Sequence, residues 1–361
     1  MGTAETDGNT RLVEVVLPGV VEPEGLRIQQ REIPAPGPGQ IVVRMEATGV
    51  SFAEQQMRRG RYYDQPPFPF VPGYDLVGTV LTVGEGVTPG LVGRRVAALV
   101  KVGGWASHVV LDAADAVEVP AGVGAAEAET LVVNGITAWQ MLHRKARVRS
   151  GGTVLVHGAN GGVGTVLVQL ARAAGLKVIG TASARHHEAL RELGVTPVDY
   201  RAEDVPARVR ELAPGGVDAV FDHLGGRSVV DSWRLLAPGG TLVSYGSATT
   251  RDDSGSKQLP VLKILGRVWL WNALPNGRHA YFFNIWEGRA LRKDRFRARL
   301  STDLTQVFQA LQSGEVAARV AARLPLTRAA EALRLAESGT VAGKVVLVPD
   351  SGDGESASPA L

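Results

Sequence analysis

The sequence predicts an α/β fold in which a compact, mainly antiparallel β-barrel accompanies a doubly wound parallel sheet. Three observations carry that expectation. Residues 11 to about 115 read as short strands broken by frequent turns. From Gly152 to Tyr245, strand-like apolar runs alternate with amphipathic helical runs. A glycine-rich turn stands at the first strand-to-helix junction of that alternation. Repeated βα units close into a parallel sheet, whereas short strands punctuated by turn clusters make antiparallel β-structure.

In the first part, Gln40-Ile-Val-Val-Arg-Met-Glu-Ala47 and Leu76–Val83 are rich in strand formers. Pro34–Gly39 and Gly84–Gly90 are turn clusters. In the middle part Thr153–His157 is a strand. Val163–Ala174 is a helix with Val163, Val166, Leu167, Leu170, Ala171 and Ala174 on one side, and Lys177–Thr181 is the next strand. The alternation continues through His187–Leu193, Pro197–Tyr200, Val205–Leu212, Val217–Phe221, Ser228–Leu236 and Thr241–Tyr245, and stops after Gly246. Arg295–Leu311 is a further amphipathic helix, and the run from Gly343 to Val348 is a closing strand. The domain division is therefore 11–132, then 133–283, then a return segment 284–350 that completes the first part. The tails 1–10 and 351–361, rich in Gly, Ser, Thr and acids, read as disordered.

Composition removes several function classes. The 361 residues carry a formal charge of +3, too mild to imply nucleic acid. The basic run Arg289–Arg299 reads as a solvated helix start. There is no cysteine, which excludes disulfides and thiolate zinc sites, and the seven histidines show no ligand spacing, so no metal is expected. The N-terminus lacks a basic and then apolar leader. The longest apolar candidate, Pro260–Pro275, is interrupted by Lys263, Arg267 and Asn272, so no membrane span is expected. The expected location is cytoplasmic.

The most informative motif is Val154-Leu-Val-His-Gly-Ala-Asn-Gly-Gly-Val-Gly164. Its loop, Gly158, Ala159, Asn160, Gly161, Gly162, Val163 and Gly164, follows a strand and opens a helix. Bare backbone there admits a pyrophosphate, and the helix N-terminus offers N–H groups to it. The spacing departs from a strict G-x-G-x-x-G, but the strand–turn–helix context supports a dinucleotide site. The next strand ends Gly180-Thr-Ala-Ser-Ala-Arg-His-His187, with no acid before Glu188 to bond a ribose 2′-hydroxyl. Ser183 and Arg185 suit a 2′-phosphate, which points to NADPH rather than NADH; the alternative is a solvated turn.

The chain resembles the medium-chain dehydrogenase/reductase superfamily in its zinc-independent quinone oxidoreductase branch. The resemblance runs from about Arg11 to Pro349. It rests on Ala47-Thr-Gly-Val-Ser-Phe-Ala-Glu54, Arg59-Gly-Arg-Tyr62, Pro69–Val80, Val133–Leu142, the glycine loop and Asp199-Tyr-Arg201. Leu274-Pro-Asn-Gly-Arg278 followed by Tyr281-Phe-Phe is similar to a subgroup related to vesicle amine transport proteins. The resemblance implies a GroES-like β-barrel catalytic domain and a Rossmann dinucleotide-binding domain. It also implies hydride transfer in a cleft between them and a homodimer joined through an edge strand. It places Thr137 near the nicotinamide, with Ser183 and Tyr200 facing the adenosine phosphate. His223, Leu224, Tyr245, Gly246, Phe282, Phe283, Asn284 and Lys344 would line the cofactor groove. Tyr200, Phe282 and Phe283 read equally well as core, and Lys344 as an exposed strand end.

Zinc-dependent relatives hold their metal at positions that correspond here to Ser51, Tyr74 and the neighbourhood of Val133, a set that makes no zinc site. Without a Lewis acid, conjugate reduction is the easier chemistry, because the protein need only stabilise charge on a carbonyl oxygen. The resemblance implies reduction of a small hydrophobic quinone or of the C=C of an α,β-unsaturated carbonyl compound. Tyr62 is the candidate hydrogen-bond donor or proton relay, with Ser51 positioning nicotinamide or substrate. The alternative is that both only shape the pocket and water supplies the proton. Gln56 stands where some relatives carry tyrosine. Two further readings remain: a catalytically silent nucleotide-binding protein that acts on a partner, and an enoyl reductase of specialised metabolism.

Overall fold

The computed structural model describes residues 11–62, 64–246 and 258–350. Both tails named above lie outside the described residues. The chain divides into two compact units, one running to Val133 and resuming at Arg319, the other spanning Asn134–Ala318.

The first unit opens with β1 (Arg11–Val16) and β2 (Arg27–Glu32), an antiparallel ribbon. Next come β3 (Gln40–Val50), α1 (Phe52–Arg58), β4 (Asp75–Val83), β5 (Arg95–Leu99), β6 (His108–Asp112) and β7 (Ala116–Glu118). β3 is the hub. It pairs antiparallel with β4 and with β6, and its Ile41 and Val43 join Leu76, Val80 and Val96 in one apolar core. α2 (Ala125–Leu131) follows, then α3 (Val133–Trp139), within which the unit boundary falls.

The second unit continues α3 into a π-helical stretch, Gln140–Ala146, closed by Arg147 in the left-handed region at φ 51°. Then β8 (Thr153–Val156), α4 (Gly162–Ala173), β9 (Lys177–Ala182), α5 (His187–Glu192), β10 (Val195–Asp199) and α6 (Val205–Leu212) alternate. They are followed by β11 (Val217–Asp222), α7 (Ser228–Arg234), β12 (Leu236–Ser244), α8 (Leu259–Ala273), β13 (His279–Phe282) and α9 (Lys293–Gln312). The six strands pair in parallel in the order β10-β9-β8-β11-β12-β13. Strand order therefore reverses between β8 and β11, the point where such sheets leave a crevice at their carboxyl ends.

The chain re-enters the first unit with β14 (Val320–Pro325), α10 (Ala329–Glu337) and β15 (Lys344–Val348). β15 pairs parallel with β14 and antiparallel with β3, which closes a seven-stranded sheet.

Two features differ from the sequence reading. The βα rhythm does not stop at Gly246, because α8 leads to β13, a sixth parallel strand. The return to the first unit falls after Ala318 rather than after 283. The reason is α9. Its buried Asp303 accepts hydrogen bonds from Gln140 and Arg144 at 2.6–2.9 Å, and the side-chain oxygen of Gln169 in α4 accepts from Ala317 N at 2.8 Å.

α8 and β13 carry an aromatic stretch that begins at Trp269. Trp271 stacks flat on Trp233, centroids 4.6 Å apart, whereas Trp269 is 72% exposed. The segment is thus core on one face and open on the other.

Candidate functional site

The glycine loop leaves β8 at the switch point and is tied to β9. Gly158 N donates to Thr181 Oγ1 and Ala159 N to Thr181 O, each at 3.0 Å. A β-carbon at Gly164 would stand 2.1 Å from Gly158 O, and one at Gly162 would stand 2.8 Å from Asn134 Nδ2. Side chains there would fill the space that the loop keeps bare. The N-cap of α4 is Gly161, which has no side chain to satisfy the first-turn N–H groups. Those donors and the positive end of the helix dipole are what an anionic diphosphate requires.

Across the switch point, β11 ends in Asp222, fully buried. Its carboxylate accepts from Leu224 N, Gly225 N, Ser228 Oγ and Ser232 Oγ at 2.7–3.0 Å. That set of bonds fixes the turn carrying His223 and Leu224. The His223 ring packs on Gly158 and lies 5.9 Å, centroid to centroid, from Tyr245. Its Nδ1 is buried without a hydrogen-bond partner among the described residues. Burial pulls the His223 pKa down to about 4, so the ring is neutral near pH 7. Burial likewise pushes the Tyr245 hydroxyl upward, which keeps it a donor. His157, also lowered by burial, bridges Thr181 Oγ1 at 3.3 Å and Ser232 Oγ at 3.1 Å.

The remaining second-unit candidates cluster by topology. Ser183 follows β9 and Tyr200 follows β10, whose last pairs are Asp199 with Ala182. Tyr245 and Gly246 follow β12, and Phe283 and Asn284 follow Phe282 at the end of β13, whose last pairs are Ser244 with Phe282. These residues, the loop and His223 thus sit at the carboxyl ends of six adjacent parallel strands. Thr137 is a buried residue of α3. Tyr200 is 52% exposed rather than core, and Phe283 is buried. Arg185 is exposed and its Nε donates to His186 at 3.0 Å.

Ser51, Tyr62 and Lys344 belong to the first unit. Ser51 caps α1. It accepts from Ala53 N, and its hydroxyl bonds Glu54, whose buried carboxyl is raised in pKa by desolvation. The Tyr62 and Tyr74 hydroxyls share a hydrogen bond, their rings edge to face. Lys344 is not an exposed strand end. Its ammonium is 2.7 Å from both Asp75 Oδ2 and Glu129 Oε1, in a buried charged trio. Among the described residues no group of three or more His, Cys, Asp or Glu is placed to hold a metal. No helix among them is long and apolar enough to cross a membrane.

Sequence reasoning missed Asn134, whose amide abuts Gly162, and Asp222 and Thr181, which fix the two turns. The signal for Asp222 was present: an acid that closes an apolar strand is rarely buried without several donors.

This arrangement of a β-structured unit and a doubly wound sheet with a bare glycine loop at its switch point defines a nucleotide-dependent dehydrogenase fold. Residues 37–121 match the family model described as the alcohol dehydrogenase GroES-like domain, and residues 193–347 that of a zinc-binding dehydrogenase. The chain is 36% identical over 347 residues to the synaptic vesicle membrane protein VAT-1 homolog of Rattus norvegicus, covering 93% of this chain and 83% of that one. Among solved structures it resembles a quinone oxidoreductase of Pseudomonas syringae pv. Tomato DC3000 (TM-score 0.81, 29% identity, 94% of this chain and 100% of that one). It also resembles a mycobacterial protein solved in complex with NADPH (TM-score 0.78, 29% identity, 94% and 100% covered). The chain belongs to the medium-chain dehydrogenase/reductase superfamily, the family of oxidoreductases to which these likenesses point.

Proposed function

We propose that the protein is an NADPH-dependent reductase of a quinone or of the C=C of an α,β-unsaturated carbonyl compound. The observation that carries this reading is the bare loop Gly158–Gly164 at the switch point, with no acid at the end of β9 and Arg185 two residues beyond Ser183. The first-turn N–H groups of α4 would hold the diphosphate, and Ser183, Arg185 and Tyr200 the adenosine phosphate. Thr137, His223, Leu224, Tyr245, Gly246, Phe282, Phe283 and Asn284 would line the rest of the groove. Bound NADPH supplies a hydride.

The chain's own task is then to steady charge on the acceptor's carbonyl oxygen. Tyr62, whose hydroxyl already shares a hydrogen bond with Tyr74, is the candidate donor. Ser51 acts through its cap on α1 and its bond to Glu54. We also propose a cytoplasmic homodimer joined through β13, the edge strand of the parallel sheet.

The test is NADPH oxidation followed at 340 nm with naphthoquinones and enones, for wild type, Tyr62→Phe and Tyr74→Phe. Turnover with NADPH, reduced roughly tenfold to a hundredfold in kcat by Tyr62→Phe, supports the reading. Tight NADPH binding without turnover on any acceptor favours the silent nucleotide-binding protein instead.

A further inference from the structure

The basic run at the start of α9 is more than a solvated helix end. With the π-helical stretch it encloses a cavity of about 600 Å³ in the second unit. Arg144, Lys145 and Arg147 line it from the π-helical side, and Arg292, Arg295 and Arg299 from the α9 side. Two of these cations are neutralised. Arg144 forks onto the buried Asp303, and Lys145 pairs with Glu287 at 2.9 Å. Among the described residues Arg147, Arg292 and Arg295 have no carboxylate partner. Arg299 spends one N–H on Glu287 O, while its Nε is buried without an acceptor.

The helix adds to the imbalance. α9 has twenty residues, and its positive dipole end falls at Lys293. Cations belong at the opposite end of a helix, yet Lys293 and Arg295 occupy the first turn against one acid, Asp294, and Arg292 provides no side-chain cap. Such an arrangement costs stability, and cations at the positive end of a helix mark a place where an anion would be stabilised. One occupant relieves every part of it: an anion taking up the unpaired guanidinium groups, the orphaned N–H and the dipole together. Guanidinium forks suit phosphate oxygens. Several cations around one concavity call for more than one phosphate, and a concave lining suits a small molecule better than a flat macromolecular surface.

We propose that this cavity binds a small polyphosphate, the diphosphate or triphosphate group of a small-molecule ligand. The site is separate from the one proposed for NADPH, since its lining shares no residue with the glycine loop or with the strand ends named above.

Calorimetric titration of the full chain with inorganic pyrophosphate, and separately with orthophosphate, tests this, each with and without saturating NADPH. The expected result is one pyrophosphate per chain, bound roughly tenfold or more tighter than orthophosphate and weakened by added salt. Arg292→Gln/Arg295→Gln should weaken pyrophosphate by roughly tenfold or more. Both side chains are exposed, and removing cations from the positive end of α9 should raise the unliganded melting temperature, a change that a merely structural role would reverse. The proposal is overturned by any of four results: no pyrophosphate binding at millimolar concentration, undiminished binding by the variant, complete displacement by NADPH, or binding of polyglutamate in place of pyrophosphate.

Discussion

The ring of His223 lies against the main chain of Gly158. A β-carbon at 158 would stand 2.5 Å from His223 Cε1, and Gly158 itself holds φ at +63°. The turns that leave β8 and β11 are therefore packed on each other, and they enclose an imidazole nitrogen with no partner among the described residues. Charging that ring in the folded protein is costly. Its folded pKa, about 4, lies below the ordinary 6.5. The associated stability is fully present above about pH 6.5 and is lost as pH falls toward 4. At pH 4.5 the loss is about 2 kcal/mol. Urea unfolding at pH 7 and pH 4.5 should show a pH-dependent loss smaller by about that amount in His223→Phe. An identical loss in both proteins would contradict the packing argument.

Gly162 and Gly164 separate folding from binding. At Gly164 a β-carbon meets the carbonyl of Gly158, which is main chain and cannot swing away. At Gly162 it meets only the amide end of Asn134. Gly164→Ala should therefore destabilise the second unit by about 1–3 kcal/mol. Gly162→Val should leave the melting temperature within a few degrees of wild type and abolish NADPH binding. Scanning calorimetry and fluorescence titration read the two effects. Normal NADPH binding by a folded Gly162→Val protein would show that the diphosphate does not lie on this loop.

The alternation of apolar strands and amphipathic helices made β8 to β12 legible, and the loop followed from glycines placed between a strand and a helix. β13 escaped because it has only four residues and follows a helix whose apolar residues point two ways. In α8, Ile264 is buried whereas Leu262, Leu265 and Trp269 are exposed, so no single stripe announces it. The trio of Lys344, Asp75 and Glu129 was illegible for another reason. Its members stand 269 and 215 positions apart and meet only once β15, β4 and α2 have packed. Ser51 was singled out for its position in a motif, but its capping role was also readable, since Ser-x-x-Glu before a helix is a capping box.

Arg185 should decide between the two nicotinamide cofactors. It is exposed just past the end of β9, and its Nε donates to His186. Arg185→Ala should raise the Kd for NADPH by roughly tenfold, the worth of one charge-assisted phosphate contact, and leave NADH within about twofold. Competition titrations with both nucleotides measure this. Equal weakening of both would remove the reason for preferring the phosphorylated cofactor.

Lys344 bears on the stability of the first unit. Burial alone would lower its pKa, but attraction to Asp75 and Glu129 outweighs that and the net shift is upward. Glu129 is raised well above the ordinary range by burial first and by Asp75 second. One ammonium against two buried carboxyl groups is neutral when one carboxyl keeps its proton, and Glu129 is the one whose protonated form the fold favours. Lys344→Met leaves buried acid without a counter-charge and should cost about 3–5 kcal/mol. Glu129→Gln replaces a group that the fold prefers neutral, and should cost only about 1 kcal/mol. The sign of the pH effect follows. A carboxyl with a raised folded pKa stabilises below its ordinary value of 4.5, and that contribution is lost as pH rises through the higher folded value. Urea unfolding across that range should therefore show wild type losing stability with rising pH relative to Glu129→Gln. Equal costs for the two substitutions, or no divergence with pH, would mean that both carboxyl groups are ionised and the trio carries a net negative charge.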